Sequence, residues 1–225
     1  MVDINVTITM RSPLHISSGF QQGTLAQRGL LKDHTGWPYI PASALKGRWR
    51  HAVEQVAGTL PGERVCVTHH DMCRQEPCAV CQIFGSPWQR GRVRFVRLAL
   101  SGPEEIVKLR RQKAWPKTSQ RTGVAINRRR RVAQDDFLYQ TELFMPGLPL
   151  AFSGQMQGEI SQAQAGLLLA GLRLMPALGK GKSGGLGWIE AEATITTGDG
   201  TVWTTADLAS AVTNAWPTGE VAHDE

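Results

Sequence analysis

No run of eighteen apolar residues occurs anywhere in this 225-residue chain, so no helix long enough to span a bilayer is expected. The opening segment MVDINVTITM lacks a basic patch followed by an apolar stretch, which argues against a signal peptide and for a cytoplasmic location. Cysteine is scarce, with only four in the chain, and a reducing compartment would keep them from pairing as disulfides. There is no His-Glu-x-x-His and no cluster of carboxylates, which excludes the zincin class. Charge of one sign is scarce or missing in two long stretches. Ser86–Arg131 holds fourteen Lys and Arg against two Glu, whereas Ile189–Glu225 holds seven acidic residues and no Lys or Arg. The chain as a whole carries +6, so the basic stretch, at +12, is set against an acidic remainder. Concentrated positive charge points to a polyanionic partner, because neutralising phosphates releases their counterions.

What is present suffices for one hydrophobic core, since 41% of the residues are apolar. Val2, Ile4, Val6, Ile8 and Met10 alternate with polar residues as a half-buried strand does. Ser43 opens a helix that places Leu45, Trp49, Ala52, Val53 and Val56 on one face and ends at Gly58. A second strand is expected over Arg92–Leu100. The pattern then recurs: a strand over 150–158, a helix capped by Ser161 and Gln164 that carries Leu167, Leu168 and Leu172, and a last strand through Ile189, Ala191, Ala193 and Ile195. Two β-α-β units in series predict an α+β fold, a modified ferredoxin-like (RRM-like) core over 1–197. Excursions at 59–90 and 101–147 decorate it, and 198–225 is an acidic tail.

Four constellations carry chemistry. Cys66, Cys73, Cys78 and Cys81 fall within sixteen residues, and the spacing of Cys78 and Cys81 lets both thiolates reach one tetrahedral Zn²⁺. Cys73 and one of Cys66, His69 or His70 would complete a closed structural shell in a segment with little apolar content of its own. The glycine-rich stretch Leu178–Gly187 contains five glycines with Lys180 and Lys182, a loop able to bring N–H groups close to phosphates. It superficially resembles a Walker A loop, but it lies between a helix and a strand in the wrong order, which removes nucleotide hydrolysis. Lys108–Arg131 has ten basic and no acidic residues, and its end could form a basic hairpin with Ile126 or Trp115 as an apolar wedge. Finally, Asp33 and His34 sit in a loop whose Asp-x-Thr-Gly pattern is ordinary turn chemistry, and His15 reads as a packed histidine.

The segments LHISSG (14–19), LLKDHTGWPYIPASALKGRWR (30–50), GVAINRRRR (123–131) and LGKGKSGGLGW (178–188), in this order, resemble the RAMP superfamily of CRISPR proteins. The nearest likeness is to the multicopy backbone subunit of type III effector complexes, which polymerises along a guide RNA. That resemblance implies several roles. Asp33 stands where the backbone subunit has its target-RNA-cleaving aspartate, working with Mg²⁺ or Mn²⁺ on a 2′-OH attack. His15, Ser43, Lys46 and Arg50 fall where the palm grips guide phosphates. Ile126, Arg128 and Arg129 belong to a thumb that flips a base, while Lys180, Lys182 and Ser183 lie near the guide backbone. The four cysteines match a zinc-bearing insertion.

The partners implied are a CRISPR guide RNA, complementary target RNA, neighbouring copies of the chain and other effector subunits, with no membrane. Two further readings share this architecture. In one, the chain is a scaffold in which Asp33 only shapes its turn. In the other, it is a guide-precursor endoribonuclease using His15 or His34 as general acid or base.

Overall fold

The alternation at the N-terminus produces strand β1 (Val2–Met10), whose even-numbered side chains are all buried. The computed structural model describes residues 1–17, 29–66, 72–101, 118–144 and 150–217, with the side chains of 135–137 excepted. β1 is the centre of an antiparallel sheet. It pairs on one side with β6 (Ala151–Gly158) and on the other with β7 (Ile189–Thr197), so that Ile4 faces Met156 across one ladder and Ile195 across the other. β2 (Val93–Arg94) and β3 (Ala99–Ser101) both pair with β6, and β8 (Val202–Trp203) pairs with β7. The order across the sheet is therefore β2/β3, β6, β1, β7, β8. Together with the helices this is the α+β architecture expected.

Helix α1 (Ala42–Ala57) and helix α3 (Gln162–Arg173) pack against each other and join the buried side chains of β1 in one core. The two helices approach closely because α3 offers Gly171, where an added Cβ would stand 2.3 Å from the Val53 side chain. Trp49 is fully buried at this crossing, and its indole N–H donates to the Leu168 carbonyl at 2.8 Å. That bond satisfies a polar group the core would otherwise leave unpaired. The Ser161–Gln164 capping box forms as predicted.

Two local readings need correction. Pro41, not Ser43, is the N-cap of α1; its extended φ of −69° and ψ of 146° start the helix, and Ser43 sits exposed within the first turn. Gly58 ends α1 in a right-handed conformation, so no left-handed glycine cap is used. The strand expected over 92–100 is also interrupted. Leu98 pairs its backbone with Ile40, while Phe95 turns to stack on Phe84 at 5.2 Å and to meet Trp49 edge-on at 5.7 Å. The detour passes over Gly154 of β6, where a Cβ would come within 2.8 Å of Leu98. Core packing of Phe95 and Leu98 has overridden regular pairing.

The first excursion contains the short helix α2 (Ala79–Phe84), which is largely buried. The second contains a hairpin, β4 (Thr118–Asn127) and β5 (Val132–Phe144), that forms its own two-stranded sheet. A final helix, α4 (Thr205–Ala215), packs on α3, with Leu208 entering the core and Gly166 giving it room. Among the described residues no helix is long and apolar enough to cross a membrane.

Candidate nucleic-acid interface and cysteine centre

The glycine-rich loop is held by its own backbone. Gly179, Gly181, Gly185 and Gly187 all take φ between 73° and 84°, a region that side chains avoid. Lys180 N–H donates to the His15 carbonyl at 2.9 Å, and Gly187 N–H to the Pro13 carbonyl at 2.8 Å. A Cβ on Gly179 would come within 2.4 Å of that same His15 carbonyl, so only glycine lets the loop lie on the 13–15 segment. Segment and loop, 164 residues apart at His15 and Gly179, thus form one surface.

Two more segments converge here. Leu14 pairs with Phe144 at the root of the hairpin, and Leu31 N–H donates to the Ile16 carbonyl at 2.8 Å. His15, only 2% exposed, donates from Nδ1 to the Glu142 carbonyl at 2.8 Å. The Glu142 carboxylate accepts from Leu30 N–H at 3.0 Å and from the Lys32 ammonium at 2.5 Å. Burial opposes its charge, but Lys32 and the Leu30 N–H outweigh that and hold its pKa below the ordinary glutamate value. Glu142 therefore fastens the hairpin root to the turn that bears Asp33. Sequence reading missed it, since nothing local connects position 142 to position 32.

Asp33 behaves as its turn pattern predicts. Its Oδ1 accepts from Thr35 N–H at 2.9 Å, Thr35 hydroxyl at 2.6 Å and Trp37 N–H at 2.9 Å. Burial raises its pKa, yet these donors, with His34 nearby, win and keep the carboxyl ionised below its usual range. Among the described residues Oδ2 accepts no hydrogen bond, and the side chain is half-buried.

The predicted RNA contacts divide into three places. His15, Lys180 and Ser183 line a cavity of about 310 Å³ between the hairpin root and the glycine-rich loop, together with Arg121 and Tyr139. Lys182 lies exposed on the same loop without lining it. Ser43 and Lys46 line a second, larger hollow of about 640 Å³ with Arg90, Arg92, Arg94 and Phe95. There Lys46 sits 5.8 Å from the centre of the Phe95 ring, and burial, followed by repulsion from Arg50, lowers its pKa. Ile126, Arg128 and Arg129 are exposed at the tip of the hairpin. The tip is shaped by Asn127, whose Oδ1 accepts from the N–H groups of Arg129 and Arg130, both at 3.1 Å, while Arg131 takes a left-handed φ of 55°. Val124, Ile126, Val132 and Leu138 add an apolar surface to this arm, each at least 44% exposed.

Arg50 belongs elsewhere. Its guanidinium donates to Glu54 at 2.8 Å, to the Gly85 carbonyl at 2.6 Å and to the Cys81 sulfur at 3.5 Å. It ties α1 to the cysteine centre and is largely covered. The sulfurs of Cys66, Cys73, Cys78 and Cys81 lie within 4.8 Å of one another, with Cys66 3.2 Å from Cys73 and 3.9 Å from Cys78 and Cys81. Four thiolates arranged tetrahedrally about 2.3 Å from one zinc would be separated by about 3.8 Å, so the donor set fits a single ion.

Backbone N–H groups of Cys78 and Cys81 point at the Cys73 and Cys78 sulfurs, at 3.4 and 3.5 Å, as they do around metal-bound thiolates. Burial, with the neighbouring sulfurs, pushes the Cys78 thiol up to about 11 and raises Cys66 as well, so a bound cation would displace their protons. Cys66 is the fourth member of this cluster; His69 and His70, like Trp115 and the 108–117 stretch, lie outside the described residues.

A family model for the RAMP superfamily matches residues 7–190 of the chain. The chain belongs to the RAMP superfamily. No curated protein matches it. Membership makes this a CRISPR-associated, RNA-binding protein, in a superfamily some of whose members are endoribonucleases. The match takes in all four segments that meet at the hairpin root, together with the cysteine centre.

Proposed function

We propose that this RAMP-superfamily protein is the guide-RNA-binding backbone subunit of a type III CRISPR effector complex, and that it cuts complementary RNA at Asp33. The observation that carries the reading is the convergence of segment 13–17, turn 30–38, the hairpin root and the glycine-rich loop, beside a cavity lined by Arg121 and Lys180. The sheet order β2/β3, β6, β1, β7 with α1 and α3 as crossovers supports a ferredoxin-like palm, and the β4–β5 arm acts as the thumb. Guide phosphates lie along the two basic hollows, with Ser43 and Lys46 in one and His15, Lys180 and Ser183 in the other, while Lys182 adds charge nearby. Ile126, Arg128 and Arg129 meet the duplex from the thumb. Sequence is read by base pairing, and the protein supplies backbone contacts and shape. The four cysteines hold a structural Zn²⁺, and Arg50 offsets the negative charge of the thiolates.

Asp33 acts as an anion. With Oδ1 engaged by its own turn and its pKa held low, it is a weak base at neutral pH and is better suited to holding Mg²⁺ or Mn²⁺ through Oδ2. Such an ion, when bound, polarises the scissile phosphate for attack by the adjacent 2′-OH. A precursor-processing role for His15 finds less support, because that side chain is buried and committed through Nδ1 to Glu142.

The test is reconstitution with guide RNA, comparing wild type with Asp33→Ala on a labelled complementary RNA in Mg²⁺ and in EDTA. Regularly spaced, metal-dependent cuts that disappear in the variant while RNA binding persists establish the role. Tight binding without cuts in either protein leaves a scaffold in which Asp33 only builds its turn.

A further inference from the structure

We propose that the cavity between the root of the thumb hairpin and the glycine-rich loop holds one nucleotide of single-stranded RNA, its base against the Tyr139 ring and its phosphate between Arg121 and Lys180. This rests on the RNA-binding reading above and names two residues, Arg121 and Tyr139, that neither sequence pattern nor family resemblance singled out.

The cavity combines three kinds of wall. Tyr139 supplies an aromatic surface beside Val124 and Leu186, Arg121 and Lys180 supply positive charge, and Ser183 supplies a hydroxyl. No carboxylate lines it among the described residues, in contrast to the larger hollow, where Glu159 stands among the arginines. An aromatic platform next to cations, with no competing acid, is the arrangement that takes a stacked base and its phosphate. At about 310 Å³ the space lies at the small end of ligand sites, enough for one nucleotide and too little for a paired duplex.

The position of the Tyr139 ring is built in. Tyr139 pairs directly with Gly123 across the hairpin, and a Cβ on Gly123 would fall 2.5 Å from the ring. Glycine weakens a strand, so its presence here suits a ring that must lie across the ladder rather than stand off it. Arg121 is set by a bond from its Nη1 to the Gly184 carbonyl at 3.2 Å, which joins hairpin and loop. Among the described residues that is the one hydrogen bond of its side chain, and the other guanidinium donors are available to a phosphate.

The experiment uses the full chain and a labelled single-stranded RNA of mixed sequence, followed by anisotropy over a series of salt concentrations. Tyr139→Leu removes the ring, and Gly123→Ala displaces it while keeping it. Each is expected to weaken binding by about 5- to 150-fold with little change in salt dependence, while Tyr139→Phe stays within about twofold of wild type. Arg121→Gln should instead lower the slope of log affinity against log salt by about 0.7. Cross-linking of wild type to 4-thiouridine RNA provides a measure that does not depend on variant folding, and Tyr139 should be among the modified residues. If wild type binds RNA but Tyr139 neither cross-links nor alters affinity when replaced, the nucleotide site is wrong and the RNA-binding reading survives. Failure of wild type to bind any RNA removes both.

Discussion

Two excursions leave the same core and end in opposite conditions. The first, across 59–90, turns inward: α2 is buried, its cysteines meet in one cluster, and Arg50 ties them to α1. Glu63 adds a further link, accepting from Ala79 N–H at 2.9 Å and from the Trp216 indole at 2.8 Å, so the end of α4 is fastened to this excursion too. The β4–β5 arm turns outward. Among the described side chains of the arm only those of its root, Thr141–Phe144, are buried, and its tip shows four consecutive arginines and Ile126 to solvent. An insertion poor in apolar residues can be stabilised by a metal from within, whereas one that keeps apolar residues exposed is stable at its root and meets a partner at its tip.

The largest effect should come from breaking the inward excursion. Cys73→Ser, or treatment with a strong zinc chelator, is expected to lower the melting temperature by roughly 10 °C or more in a thermal scan, because the zinc proposed for this cluster would supply folding energy there. An unchanged melting temperature after chelation would erase the contrast between the excursions.

A smaller loss is expected at the root of the outward arm. Glu142→Gln removes the partner of Lys32 and should cost about 1–3 kcal/mol in denaturant unfolding. Its pH dependence has a definite sign. Because the folded pKa of Glu142 is depressed, its contribution is complete above the unfolded value of about 4.3 and disappears as pH falls through the lower folded value. Wild type and variant should therefore differ by a constant amount near neutrality and converge in acid.

The smallest effect on stability belongs to the tip. Ile126→Ala combined with Arg128→Gln and Arg129→Gln should leave unfolding within about 0.5 kcal/mol of wild type. The same variant should lose RNA affinity, with the salt slope falling by about 1.4 for the two lost charges. A tip variant that unfolds early would mean the arm is packed rather than presented.

The regular parts of this fold were legible because their side chains repeat with the period of their element. β1 and β7 alternate, and α3 announces its start through Ser161 and Gln164. What escaped was set by contacts between distant residues. The break in the 92–100 strand follows from Phe95 and Leu98 joining the core with Ile40 and Trp49, and the start of α1 follows from Pro41 rather than from the more familiar serine. At the site, the glycine-rich loop and the cysteine cluster were visible as local composition. Glu142, Arg121 and Tyr139 were not, because each acquires its role from a partner across the hairpin or from a different segment altogether. Arg50 shows the converse: its place in a recognisable motif suggested RNA, while its bonds lead to Cys81 and Gly85.

The central claim is that this protein sits on CRISPR guide RNA in several copies. Isolation of the tagged protein from its own cells, with sequencing of the RNA that comes with it and native mass spectrometry of the particle, tests this most directly. The account predicts guide RNA from the CRISPR array as the dominant species, in particles holding more than one copy of the chain. Recovery of the protein as a monomer with no enrichment of CRISPR transcripts would contradict it.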